Sequence, residues 1–113
     1  MIAELLKSRI AIVGGGQFCK RFLELFHSKD FQDQPLTILG VADLNSHAQG
    51  IVYARQRGIF VTADFMDLLR LNNLQVLLEL TGDPNLGSMI KKKAPAGIKI
   101  LNTATHPHPS EEG

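Results

Sequence analysis

The sequence predicts a three-layer, doubly wound α/β domain over residues 1–105, with a parallel sheet of about five strands. Short runs of β-branched apolar residues alternate with longer amphipathic stretches, as successive strand–helix–strand units require. A glycine-rich turn follows the first run, and an aspartate ends the second. Because crossovers between parallel strands are right-handed, the most economical strand order is 3-2-1-4-5, with helices on both faces and a crevice where the order reverses.

The elements are assigned from the hydrophobic period and from the residues that begin or end helices. Strands are predicted at 10–13, 36–43, 59–61, 76–80 and 99–101, and helices at 17–28, 48–57, 64–71 and 84–93. Gly58 ends the second helix because glycine adopts the left-handed conformation of helix ends, and Pro84 suits a first helical turn. In the first helix, the residues at helical spacing, expected to pack on the sheet, are Phe18, Phe22, Leu25 and Phe26.

The turn after the first strand is the main candidate binding feature. Its spacing, Gly14-x-Gly16-x-x-Cys19, matches the dinucleotide fingerprint at two glycines and has a cysteine in place of the third. Gly14 permits a tight turn. Gly16 lets the backbone N–H groups of residues 14–18, those of Gln17 and Phe18 included, approach a pyrophosphate at the helix start. Cys19 is larger than the usual residue, so we expect the helix to stand farther from the sheet. The alternative is an ordinary strand-to-helix turn without a ligand.

Asp43, at the carboxyl end of the second strand, is the second candidate. A carboxylate there can accept hydrogen bonds from a ribose diol and repels a 2′-phosphate. The next residue is Leu44 and not an arginine, so NAD is expected as the cofactor in preference to NADP. The alternative is a capping or loop aspartate with no ligand.

Polar residues also follow the fourth and fifth strands. Thr81 and Gly82 come after one, and Asn102 and Thr103 after the other, where they either orient a nicotinamide ribose or cap turns. Glu79 interrupts an apolar strand, and a buried carboxylate needs a partner. We leave open whether it contacts a ligand in the crevice, pairs with a lysine or remains half exposed.

Composition excludes several classes of protein. The net charge of +1 on 113 residues gives no electrostatic basis for binding nucleic acid, and no apolar run is long enough to span a membrane. With one cysteine and no signal-peptide pattern at the start, we expect a cytoplasmic protein without an intrachain disulfide. His106 and His108 lie in residues 106–113, a predicted flexible tail, and two such ligands do not form a zinc site.

Four segments carry a resemblance to a known family: IAIVGGGQFC, LGVAD, RGIFVTADFMDLL and VLLELTGDPN. Together they make residues 10–105 similar to the N-terminal Rossmann domain of the glucose-fructose oxidoreductase and inositol dehydrogenase family. The resemblance implies dinucleotide contacts at Gly14, Gly16, Asp43, Thr81 and Gly82. The family's Glu-Lys-Pro motif is replaced here by LNTATHPHP, and its substrate domain is absent. We therefore expect an NAD-binding, oxidoreductase-type domain without catalytic machinery of its own.

Two other functions remain open at this point. The ELTG segment also resembles a Rossmann-type module in the N-terminal part of some bacterial sensor kinases, which implies a regulatory domain that senses a small ligand. Alternatively, the chain is an interaction module in which Phe18 blocks the crevice. Without a second domain, the fifth strand and its flanking helix would expose apolar surface. We therefore expect this surface to pack against either a second copy of the chain or a C-terminal domain.

Overall fold

The computed structural model describes residues 8–26 and 37–102, which form a five-stranded parallel sheet flanked by helices. The strands are β1 (Arg9–Val13), β2 (Thr37–Ala42), β3 (Phe60–Thr62), β4 (Val76–Glu79) and β5 (Lys99–Asn102). The helices are α1 (Gln17–Phe26), α2 (Gln49–Gln56), α3 (Phe65–Leu69) and α4 (Pro84–Lys93). The strand order is β3-β2-β1-β4-β5, and every neighbouring pair is parallel, so the predicted topology is confirmed.

Two apolar clusters hold the helices on the sheet, one on each face. Alternate residues of β1 point to opposite faces, so Ile10 and Ile12 join the cluster under α1 and α2, while Ala11 and Val13 join the one under α3 and α4. All four side chains are buried, as expected for the central strand of a sheet covered on both sides. The three-layer architecture follows directly from this arrangement.

The predicted inward face of α1 is confirmed for Phe22, which packs against a buried cluster, and is wrong for Phe18 and Leu25. Cys19 and Leu23 are fully buried and Phe22 is half-buried, whereas Phe18 is 59% exposed and Leu25 is 48% exposed. The hydrophobic period indicates that a helix has a buried face. Apolar residues occur on more than one side of α1, so the period alone does not determine which side is buried. The observed face places Cys19 against Gly50 of α2, where a Cβ on position 50 would lie 2.8 Å from the Cys19 sulfur.

Other element bounds differ from prediction by a few residues. The second strand ends at Ala42, so Asp43 lies in the following loop, and the third begins at Phe60. Gly58 has the expected left-handed conformation, with φ of +76°, and Pro84 stands in the first turn of α4. The predicted helix end at 28, the side chain of Phe26, Thr103 and the predicted tail lie outside the described residues. Within the described part of the chain, no helix has the length and apolar character to cross a membrane.

Candidate functional site

A cavity of about 460 Å³ opens at the carboxyl edge of the sheet, where the ends of β1 to β4 meet. It lies between the loops after β1 and β2 on one side and the starts of α3 and α4 on the other. Its lining consists of Val13, Gly14, Ala42, Asp43, Leu44, Ala63, Asp64, Phe65, Thr81 and Leu86. Crevices of this size at the reversal of strand order are the usual ligand sites of open α/β sheets.

The first two glycines of the turn are required by contacts within the chain. Gly14 has φ of +106°, and a Cβ on it would lie 3.0 Å from the backbone nitrogen of Thr81. A Cβ on Gly15 would lie 2.6 Å from the Ile51 side chain. The positive φ of Gly14 and the close approach of Ile51 to Gly15 therefore account for glycine at these two positions without a ligand.

Gly16 is different, because no contact among residues 8–26 and 37–102 requires it to be glycine. A Cβ on Gly16 would meet no atom of these residues within 4 Å, and its φ is outside the left-handed region. Its carbonyl accepts the N–H of Lys20 at 3.0 Å, so Gly16 stands at the start of α1. The N–H groups of the first helical turn have no acceptor within the helix, and they carry the positive end of the helix dipole. The turn therefore presents open space beside donors suited to an anion.

The structure restricts which N–H groups of the turn remain for a ligand. The Gly14 N–H donates to the Ala42 carbonyl at 2.8 Å, and the Gly15 N–H donates to Asp43 Oδ2 at 2.7 Å. Two of the five N–H groups expected at a pyrophosphate are therefore used to hold the turn itself. The remaining three belong to Gly16, Gln17 and Phe18.

Asp43 joins the loop after β2 to the glycine turn. Besides the Gly15 bond, its Oδ1 accepts the N–H of Asn45 at 2.8 Å. A carboxylate has about four acceptor positions, so each oxygen keeps room for a further donor such as a ribose hydroxyl. The neighbouring Leu44 is 89% exposed and lines the cavity, which places an apolar side chain at its rim.

The Glu79 side chain accepts hydrogen bonds from the loop after β4. Its side chain is fully buried, so it is not half exposed, and it does not line the cavity. Its Oε2 accepts the N–H of Thr81 at 2.7 Å and the N–H of Gly82 at 3.1 Å, and it also accepts the Thr81 hydroxyl. The Thr81 hydroxyl in turn accepts the N–H of Asp83 at 3.1 Å. Thr81 and Gly82 are thus tied into their own turn, while Thr81 also lines the cavity.

Phe18 does not block the crevice. Its exposed ring lines a separate surface hollow with Gln17 and Arg21, away from the cavity. Cys19 is buried behind the turn, and this burial, with a smaller effect from the negative charge of Asp43, raises the pKa of its thiol from 9.0 to about 12. An unreactive thiol agrees with a packing role.

Of the eight residues predicted for the site, four line the cavity: Gly14, Asp43, Leu44 and Thr81. Gly16, Gln17 and Phe18 lie at the start of α1 beside it, and Gly82 lies in the turn after β4. Among the lining residues, sequence reasoning missed Val13, Ala42, the segment from Ala63 to Phe65, and Leu86. Residues 63–65 directly follow β3. Because the carboxyl ends of all strands in a parallel sheet lie at one edge, this position in the sequence could have predicted that they border the site.

Charge at the cavity is acidic. Asp43 and Asp64 are the charged residues of its lining, and Asp64 also caps α3 by accepting the N–H of Met66 at 2.9 Å. Among the described residues that line the cavity there is no lysine, arginine or histidine. The cavity lining itself therefore offers no positive partner for a phosphate, whereas the N–H groups of the glycine turn beside it suit one.

Comparison with solved structures finds the same fold in an NAD-binding protein from Listeria innocua. The TM-score is 0.64 at 20% sequence identity, and the match covers 85% of this chain. The chain spans 27% of the length of that protein. Neither a family model nor a curated protein sequence matches the chain. The α/β Rossmann-like fold is thus shown by the strand order and by this similarity.

Proposed function

We propose that this chain is an NAD(H)-binding domain of oxidoreductase type. The structural neighbour is described as NAD-binding, and the candidate site has groups that suit each part of the adenosine diphosphate half. The adenine ring occupies the apolar cavity between Leu44, Phe65 and Leu86. Asp43 accepts the ribose diol, and the pyrophosphate lies on the N–H groups of Gly16, Gln17 and Phe18.

The observation that carries this proposal is the open space at Gly16. The other two glycines of the turn are explained by Thr81, Ile51 and the positive φ of Gly14, whereas a Cβ at position 16 would meet no atom within 4 Å in the part of the chain that the structure describes. Glycine at this position is accounted for when a pyrophosphate approaches the backbone there. A glycine helix cap offers a weaker explanation, because Ser, Asp or Asn would cap the helix better.

The site favours NAD over NADP. A 2′-phosphate would lie beside the Asp43 carboxylate, and Leu44 offers it no positive charge. Asp64 adds a second negative charge to the same cavity. We therefore expect NADP to bind more weakly than NAD, with a difference that decreases as salt screens the repulsion.

In this proposal the chain binds and orients the cofactor, which supplies hydride transfer when bound. The chain's own residues hold the adenosine end and exclude water from it. The residues that would activate a substrate belong to another domain or partner, in line with the replaced Glu-Lys-Pro motif.

The proposal is tested by calorimetric titration of the chain with NAD, NADH and NADP, repeated on Gly16→Val. Because position 16 has room and an ordinary φ, the variant is expected to keep the wild-type fold while its side chain excludes the pyrophosphate. We expect NAD to bind the wild type and to lose at least about a hundredfold in affinity in the variant. Ala96→Val, at an exposed position before β5, is the control for an added β-branched side chain.

Two results would contradict the proposal. Equal NAD affinity in the wild type and Gly16→Val would exclude the pyrophosphate from the turn. No binding of any dinucleotide at millimolar concentration would favour the regulatory alternative, in which the cavity holds another small ligand.

A further inference from the structure

The glycine turn is held from the side by the start of α2. The carbonyl oxygen of Gly15 accepts the N–H of Gly50 at 2.6 Å and the N–H of Ile51 at 3.2 Å. Both donors belong to the first helical turn, where N–H groups have no acceptor within the helix. The Gly15 carbonyl therefore caps α2, and this contact fixes the direction of the carbonyl.

That direction also determines where the next N–H group points. The peptide between Gly15 and Gly16 is trans and planar, so the Gly16 N–H points opposite to the Gly15 carbonyl. Since the carbonyl points at α2, the Gly16 N–H points away from that helix. It is one of the three N–H groups that the proposed function assigns to the pyrophosphate.

The close approach of α2 to the turn depends on glycine at position 50. A Cβ there would lie 2.7 Å from the Gly15 carbonyl oxygen and 2.8 Å from Cys19 Sγ. Cβ atoms do not approach other heavy atoms so closely, and the carbonyl oxygen cannot yield without moving the turn. Gly50 is fully enclosed and its φ is not left-handed, so space and not conformation requires glycine here.

We propose that Gly50 is a positioning residue for nucleotide binding, an inference that rests on the proposed function. Its missing side chain lets α2 dock on the glycine turn, and the docked helix aims the Gly16 N–H at the phosphates. In the dinucleotide fingerprint the third glycine provides close packing of the first helix. Cys19 occupies that position here, and the close approach that Gly50 provides is a different one, between α2 and the glycine turn.

The test uses Gly50→Ala, with two readouts on the full chain. One is the chemical shifts of the Gly14, Gly15 and Gly16 amides without ligand, and the other is the Kd for NAD. We expect these amides to shift and the Kd to rise by about tenfold or more, since the methyl group displaces the Gly15 carbonyl. Gly40→Ala is the matched control: its added Cβ would lie 2.9 Å from Leu68, in mid-strand and away from the turn.

The control is expected to lower the melting temperature while leaving the turn amides and the Kd as in the wild type. If Gly50→Ala behaves in the same way, its role is structural only and the proposal is overturned. The double variant Cys19→Gly, Gly50→Ala relieves the contact with the thiol but retains the contact with the Gly15 carbonyl. Cys19→Gly itself costs stability in the helix, so the double variant is compared with Cys19→Gly alone. It should bind NAD about tenfold or more weakly than that variant, and this pair carries the test if the single variant does not fold.

A double variant that binds NAD as tightly as Cys19→Gly alone would show that Cys19 alone is disturbed, which also overturns the proposal. If the wild type binds no NAD, the proposed function fails on its own. The amide shifts of the ligand-free protein then still decide whether Gly50 positions the turn.

Discussion

Asp43 accepts the N–H of Gly15 at 2.7 Å and thereby connects the end of β2 to the turn after β1. The same carboxylate accepts the N–H of Asn45 at 2.8 Å, so it organises both loops that border the cavity. In the proposed function it also holds the ribose. Removing this side chain therefore affects the stability of the loops and the affinity for the ligand together.

We expect Asp43→Ala to raise the NAD Kd by about tenfold to a hundredfold, the value of a lost charge-assisted hydrogen bond. Two N–H groups lose their acceptor, so the free energy of unfolding should fall by about 1–3 kcal/mol. The preference for NAD over NADP should shrink, because the repulsive charge is gone. Titration calorimetry and urea unfolding measure these effects.

Asp83→Ala is the control for this variant. Asp83 caps α4 through the N–H of Asn85 at 2.9 Å and does not line the cavity. Its loss should cost about 1 kcal/mol of stability, as for other helix caps, and leave the NAD Kd within about twofold. If both variants weaken NAD equally, loss of stability and not loss of the ribose contact is responsible.

Glu79 should matter for stability through the turn after β4. Glu79→Leu removes the acceptor of the Thr81 and Gly82 N–H groups, and we expect a loss of about 1–3 kcal/mol. Glu79→Gln keeps one acceptor oxygen and should lose less. Urea unfolding of the two variants gives the order. A Leu variant as stable as the wild type would show that water replaces the carboxylate in this turn without cost.

The Cys19 thiol should be inert in the folded protein. Burial raises its pKa from 9.0 to about 12, so we expect no reaction with a thiol reagent at pH 8 until urea unfolds the chain. Rapid reaction of the folded protein would contradict the burial of this side chain.

The same shift predicts a pH effect on stability. Because the folded state raises the pKa, the contribution to stability is complete below pH 9 and is lost as the pH rises from 9.0 towards 12. Cys19→Ala lacks this contribution, so the difference in free energy of unfolding between the two proteins should change over that range. A difference independent of pH would contradict the prediction.

A substitution at Phe18 tests whether its side chain takes part in NAD binding, because the proposed contact is made by its backbone N–H alone. Its ring is 59% exposed and lies outside the cavity, while its N–H belongs to the first turn of α1. We expect Phe18→Ala to change the NAD Kd by no more than about twofold, the usual range for a surface substitution. A larger loss would mean that the ring contacts the ligand, and a gain of tenfold would restore the idea that it obstructs the site.

Much of the fold could be predicted because it depends on local patterns. Apolar runs separated by amphipathic stretches give parallel strands in one order, and Gly58 and Pro84 mark helix bounds through their own backbone restrictions. The rotation of α1 could not be predicted in this way. The observed face places Cys19 against Gly50, a contact across about thirty residues of sequence that no local period contains.

The strand order, the turn at Gly14 and Gly16, and an acid after β2 follow from local sequence patterns. Which of these groups remain available to a ligand depends on contacts between distant parts of the chain. Hydrogen bonds between segments far apart in sequence use the N–H groups of Gly14 and Gly15 and join Gly15 to Gly50, while a local bond ties Thr81 to Glu79. A backbone group's partner depends on which loops meet at the edge of the sheet, and this is settled only when the whole chain has packed.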